Sequence, residues 1–342
     1  MKFSGLALKL SVAASVVWGA PVNTVQKAFF DWDATNFVLA FGDSWTYVQG
    51  EHGSQNFSFI GDRFNKEYSA TELYFNKIKK NETSAGGPNW TEYLTGCYEG
   101  SPLSCEKQLW NFAFAGADIS TKIAPLHHNF SVQFDEQIDI WSNHTSPLVP
   151  SDKNRALVAT FIGINDIQDT SKYPLNETGP GFSKLYNKIV DIQYDGMETL
   201  YQEGFKNFLV FGLPVLDKSP PNLKKENPSP NATMIHTWNT ILQEKADQFE
   251  KKNADSNVFY FDLYGFLDGI LKNASHYGFK NTTAICDAYD QPDVQWNYEK
   301  YGCQPIEEYF WYNTGHITYP VHKLLGEKLA TFLKEKSNFG RR

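Results

Sequence analysis

The stretch that most constrains this chain is Phe37–Ser44, FVLAFGDS, an apolar run that stops at Gly-Asp-Ser. An apolar run of this length without polar alternation reads as a buried strand. Gly42 allows a tight turn with close backbone approach, and Ser44 lands just past the strand end. In an open parallel α/β sheet, ligands bind at the carboxyl ends of the strands, so Ser44 is a candidate nucleophile. Gly-Asp-Ser occurs by chance in many chains, and the assignment needs support from elsewhere.

Similar runs recur along the chain. Strands are expected at Phe37–Phe41, Trp110–Ala115, Ala156–Ile162, Phe208–Gly212 and Val258–Asp262, and helical patterns at Tyr186–Glu203, Ala232–Lys252 and Pro320–Lys336. Strands alternating with helices imply a parallel sheet covered on both faces, here a three-layer α/β/α sandwich with a five-stranded parallel sheet. The Pro-rich stretch Lys218–Pro230 follows a strand and precedes a helix, which makes it an insertion at the active edge of the sheet rather than a domain boundary. Pro320 suits the first residue of the last helix. That places His316 in the loop feeding the helix, and makes His322 a packing or helix-surface residue.

Three later segments add support. Leu109–Asp118 (LWNFAFAGAD) ends in a turn at Gly116, Ala156–Asp166 (ALVATFIGIND) ends at Asn165 and Asp166, and Asn313–Thr318 (NTGHIT) carries His316. Strand-end Ser, Gly and Asn followed by a late His resemble the SGNH (GDSL) hydrolase superfamily, over Phe37 to about Leu329. The resemblance implies a flavodoxin-like fold, Ser44 as nucleophile and His316 as base. It also implies an oxyanion hole made by the backbone N–H groups of Ser44 and Gly116 and the side-chain amide of Asn165. These residue types suit the chemistry: a serine hydroxyl needs a base to take its proton, histidine titrates in the right range, and the tetrahedral oxyanion needs preorganised donors. The wider wording, GDSWTYVQG, GGPNW, NFAFAGAD and WYNTGHITYPVHKLL, is similar to fungal members of carbohydrate esterase family 16. That similarity implies a secreted acetylesterase acting on acetylated sugars, with no cofactor.

One position departs from the superfamily pattern. The usual Asp three residues before the catalytic His is Asn313 here. In a chymotrypsin-type triad, Asp→Asn costs about 10⁴ in turnover because the wrong imidazole tautomer is held. Three readings stay open: a Ser–His dyad supported by Asn313 or a backbone carbonyl, substitution by another acid such as Glu308 or Asp293, or a weak or silent hydrolase. The last would be a sugar-binding protein. A lipase or phospholipase acting on longer acyl chains is a further alternative. Aromatic residues make up 15% of the chain. Trp45 and Tyr47 flank Ser44 as candidate sugar-stacking residues, against the alternative that they pack the core or the cleft wall.

Met1–Ala20 reads as a signal peptide, with basic Lys2, an apolar stretch from Leu10 to Trp18 and small residues at Gly19 and Ala20. The remainder, 21–342, reads as one domain. Nine Asn-x-Ser/Thr sequons occur, where about three are expected by chance. Asn56, Asn81, Asn129, Asn143, Asn176, Asn231, Asn273 and Asn281 are the candidate glycosylation sites, and Asn89, beside Trp90, is doubtful. Four cysteines in an oxidising compartment suggest two disulfides; Cys97–Cys105 and Cys286–Cys303 are favoured because each closes a short loop. Neither CxxC nor HExxH occurs, which argues against zinc. Asp287, Asp290 and Asp293 read as solvated loop acids rather than calcium ligands, and His127 and His128 as loop or surface residues. The net charge of −8 argues against nucleic acid or an anionic membrane as partner. The expected partner is a small-molecule or oligosaccharide ester, acted on by a monomer.

Overall fold

A computed structural model describes Met1 and residues 26–52, 57–64, 69–149, 151–175 and 180–338. The segment read as a signal peptide, from residue 2 onward, and the sequons at Asn56 and Asn176 lie outside these residues. Five strands form one sheet: β1 (Phe37–Gly42), β2 (Gln108–Asn111), β3 (Ala156–Phe161), β4 (Asn207–Phe211) and β5 (Asn257–Phe261). Every pairing is parallel and the order is β2-β1-β3-β4-β5, the flavodoxin-like doubly wound arrangement. Around it lie α1 (Ala70–Phe75), α2 (Trp90–Thr95), α3 (Phe134–Ile140), α4 (Ile164–Thr170), α5 (Pro180–Gln202), α6 (Pro220–Leu223), α7 (Ala232–Lys252), α8 (Leu263–Lys272), α9 (Val294–Asn297) and α10 (Tyr319–Lys336).

The strand register explains why the central strands carry unbroken apolar runs. Phe41, Thr160, Val210 and Tyr260 stand side by side across β1, β3, β4 and β5. On that face the Phe41 ring meets Phe134 of α3, Thr160 meets Gln193 of α5, and Phe208 meets Phe249 of α7. On the opposite face Phe161, Phe211 and Phe261 meet Trp45, Trp90 of α2 and Phe332 of α10. Both faces are thus covered by helices, so the strands are mainly apolar on either side, and the polar Thr160 is met by Gln193. β1, β3 and β4 are buried at every position.

The second strand corrects the expectation of Trp110–Ala115. Phe112 and Phe114 still donate to Ala40 O and Gly42 O. The Ala113 N–H is taken by the Asn111 side chain and the Ala115 N–H by Phe57 O. The strand proper thus ends at Asn111, but the chain keeps donating to β1 as far as Phe114 before it opens into the loop that carries Gly116. The last helix begins one residue earlier than expected, at Tyr319. The Pro-rich stretch is an ordered insertion with Asn222 at its hub: its amide donates to Leu216 O and Pro230 O, and its oxygen accepts from Ser229 N–H and Lys225. The two disulfides are Cys97–Cys105 and Cys286–Cys303.

Short helices escaped the periodicity because their burial is set by neighbours. α2 is one turn and a half. Its start was encoded by Asn89 and Glu92, which form a capping box in which the Asn89 side chain accepts from Thr91 N–H and Glu92 accepts from Asn89 N–H. The same Asn89 donates to Thr46 O and Tyr47 O and is 1% exposed. Its amide is spent inside the protein.

Candidate active site

Between Phe37 and Gly50, Ser44 is the one residue that is not buried. The turn that presents it is built by Asp43, whose carboxylate accepts from Trp45 N–H at 3.0 Å and whose carbonyl accepts from Thr46 and Tyr47 N–H. This is an Asx-type turn closed by the motif's own acid. Gly42 is required because a Cβ there would lie 2.2 Å from Phe161 O on the neighbouring strand. Gln137 of α3 clamps the strand end, accepting from Gly42 N–H at 2.9 Å and donating to Gly42 O at 2.8 Å.

The Ser44 hydroxyl is 2.7 Å from His316 Nε2, and His316 Nδ1 is 2.7 Å from Asn313 Oδ1. Asn313 Oδ1 also accepts from Gly315 N–H at 3.0 Å. That second bond fixes the amide so that its oxygen, not its nitrogen, faces the imidazole. The Nδ1–H tautomer is thereby held, and the Nε2 lone pair faces Ser44. The usual penalty for Asn at this position arises from the wrong tautomer, and the Gly315 N–H removes that cause. Burial pushes the His316 imidazole down to about 4, with no carboxylate to oppose it. The alternative acids are engaged elsewhere: Glu308 pairs with Lys280, and Asp293 with Lys300 and Tyr301.

The His316 loop is tied to the Ser44 turn. The Trp45 indole N–H donates to Gly315 O at 3.0 Å, and its ring lies 6.3 Å from His316 and 6.0 Å from His322. Trp45 is 0% exposed. This corrects the expectation of a sugar-stacking Trp45: its faces are used against Phe161 and the two histidines. Tyr47 is also buried, packed with Ala113 and Ala115, and offers no open face either. His322 packs under Trp45, its imidazole pushed down to about 3 by burial, as the reading of it as a packing residue expected.

Ser44, Gly116, Asn165, Asn313 and His316 line one cleft of about 380 Å³. Asn165 sits in the first turn of α4, 6% exposed, and donates one amide hydrogen to Ala117 O at 2.8 Å. That bond orients the amide and leaves its second hydrogen for the cleft. Gly116 adopts φ +82°, and a Cβ on it would sit 2.8 Å from the His128 ring and 3.4 Å from the His127 ring. The two histidines are exposed loop residues, as expected, and they also line the cleft. His127 Nδ1 lies 3.0 Å from Asp169, which holds its imidazole above the usual range, while burial lowers His128. Sequence reasoning missed this pair because Asp169 lies 42 residues away.

Beneath the cleft the acids of the three strand-end motifs converge. Asp166 accepts from Ile119 N–H with both oxygens at 3.1 Å. Asp43, Asp118 and Asp166 are each at most 1% exposed. Burial, reinforced by their mutual repulsion, raises all three, Asp43 to about 7. No group of three or more metal-ligating side chains is found among the described residues. No described helix is long and apolar enough to cross a membrane.

A family model described as GDSL-like lipase/acylhydrolase matches residues 38–327. An acetylesterase from Thermothelomyces thermophilus is 22% identical over 303 residues, 87% of this chain and 88% of its own length. Among GDSL esterase/lipases of Arabidopsis thaliana, one is 22% identical over 97% of this chain and 98% of its own. Another is 24% identical over 65% and 67%.

Proposed function

Because this chain belongs to the GDSL-like lipase/acylhydrolase family and is a carboxylic ester hydrolase, we propose that it removes acetyl groups from sugars, with Ser44 as nucleophile and His316 as base. The observation that carries this is the unbroken chain Ser44–His316–Asn313, each link 2.7 Å, opening into a cleft of about 380 Å³. Ser44 Oγ attacks the ester carbonyl as His316 Nε2 takes its proton. Asn313 Oδ1 keeps the Nδ1 proton in place. The N–H groups of Ser44 and Gly116 and the free amide hydrogen of Asn165 receive the oxyanion. His316 then returns its proton to the leaving alcohol, and a water repeats the sequence on the acetyl-enzyme. The acetylesterase relative supports the acetyl group as the acyl moiety.

The same reading makes the protein a secreted, N-glycosylated monomer: a single domain over 21–342 with a cleaved leader at 1–20. Two disulfides support an oxidising compartment, and Asn81, Asn129, Asn143 and Asn273 are exposed. Asn231 and Asn281 are half-buried, and their side-chain oxygens accept from backbone N–H groups. All the cleft residues come from one chain, so no second copy is needed.

The test is a p-nitrophenyl ester series from acetate to palmitate, run beside acetylated xylo-oligosaccharides. Turnover confined to acetate and the oligosaccharides is expected. A preference for long chains would make the protein a lipase, and no turnover on any ester would make it a binding protein.

A further inference from the structure

The acyl-transfer chemistry leaves one polar constellation of the cleft unused. His127 lines the same cleft as Ser44 and Asn165, its ring 3.4 Å from where a Cβ of Gly116 would stand. Its Nδ1 is committed to Asp169 Oδ2 at 3.0 Å. Asp169 lies on α4, one turn beyond Asn165, so a single helix positions both the oxyanion amide and the carboxylate that orients His127. Lys172 stands 3.7 Å from the other Asp169 oxygen, Asp118 lies near enough to be felt by the His127 charge, and His128 packs against the His127 ring at 4.6 Å. These contacts fix the ring and leave Nε2 with no protein partner among the described residues.

An imidazole held at Nδ1 by a carboxylate presents Nε2 as a donor when charged and as an acceptor when neutral. A hydroxyl can answer either state, because it both donates and accepts. A carboxylate or carbonyl oxygen can answer only the charged one. An oriented, partly desolvated ring next to the oxyanion glycine is therefore built to read a hydroxyl close to the scissile ester.

We propose that His127, oriented by Asp169, is a specificity-determining residue that hydrogen-bonds a free hydroxyl vicinal to the acetyl ester, so that the preferred substrates are monoesters of vicinal diols, as in a partly acetylated sugar ring. This rests on the Ser44 esterase reading and narrows its substrate class. His127 contacts the alcohol half of the substrate and takes no proton from Ser44.

A matched pair of probes isolates the contact: trans-2-hydroxycyclohexyl acetate and cyclohexyl acetate, which differ only in the neighbouring hydroxyl. Wild type should prefer the hydroxy ester in kcat/KM by about tenfold to a hundredfold, the range of one well-placed hydrogen bond to a polarised group. His127→Ala should erase that preference while leaving cyclohexyl acetate within about threefold of wild type. His127→Gln, which can also donate or accept, should recover part of it, and Asp169→Asn should lose part of it by freeing the ring. Equal losses on both esters in His127→Ala, or no preference in wild type, would overturn the proposal. Retained hydrolysis of either probe by Ser44→Ala would instead sink the nucleophile assignment and leave the His127 comparison readable.

Discussion

His316 and His127 face the same cleft and have been driven in opposite directions. His316 is packed against Trp45, meets only neutral partners at its two nitrogens, and is pushed down to about 4. His127 sits at the rim, is paired with Asp169, and is raised. The side chain is the same; what differs is whether desolvation or a carboxylate dominates. A base that stays neutral well into acid and a rim imidazole that is readily charged suit different tasks, proton abstraction in one corner and substrate recognition in the other.

The largest expected effect is at the base's corner. Ser44→Ala should lower acetyl-ester turnover by several orders of magnitude with the fold intact, since a single exposed hydroxyl carries little stability. Retention of more than about a tenth of wild-type activity would break the assignment, and with it the contrast between a reacting and a recognising histidine. Next comes Asn165→Ala, expected to cost about 10²–10³ in turnover with little change in KM. Its bond to Ala117 O leaves a structural alternative open to measurement. If melting temperature falls while turnover per folded molecule holds, Asn165 only ties two loops together.

Asn313→Asp sharpens the comparison most directly, because it gives His316 the partner that His127 already has. In the wild type, protonation of His316 abolishes attack, so the acidic limb of kcat/KM should lie near pH 4. A carboxylate at 313 favours the imidazolium, so the limb should move to higher pH, by about one unit or more, and turnover should rise. An unchanged pH profile would show that residue 313 is not electrostatically coupled to His316.

The smallest effect concerns the acids beneath both corners. Asp43, Asp118 and Asp166 have raised folded-state values. Between the usual unfolded value near 4 and the folded values, about 7 for Asp43 and Asp166 and about 8 for Asp118, the native state holds more protons than the unfolded chain. Stability should therefore fall as pH rises through that window. Asp118→Asn should flatten the dependence, lessening the loss of melting temperature between pH 4 and 8 by about 2–4 °C. A slope identical to wild type would show that Asp118 titrates in the folded protein as it does in the unfolded chain.

Much of the site was legible because the fold makes it local. Each strand announces itself by an apolar run, and in a parallel sheet the residue after each run is delivered to the same edge. The strand-end positions of Ser44, Gly116 and Asn165 could thus be read from three segments, each without reference to the others. The meaning of Asn313 could not. The sequence placed it three residues before His316, but only the Gly315 N–H, bonded to the same oxygen, decides which end of the amide faces the ring. Trp45 stayed open between stacking and packing for a related reason: proximity to Ser44 in sequence says nothing about which side chains fill the space around its indole.

What the chain alone determined is the set of properties fixed by short-range pattern: the parallel α/β class, the strand ends, the motif order and the two short disulfide loops. What the tertiary structure decided are the pairings across long separations. Gln137 clamps Gly42 from 95 residues away, Asp169 orients His127 across 42, and Trp45 holds Gly315 across 270. A side-chain hydrogen bond has no sequence periodicity, since its partners need only meet in space. The rim of the cleft is therefore written in contacts that no local pattern encodes.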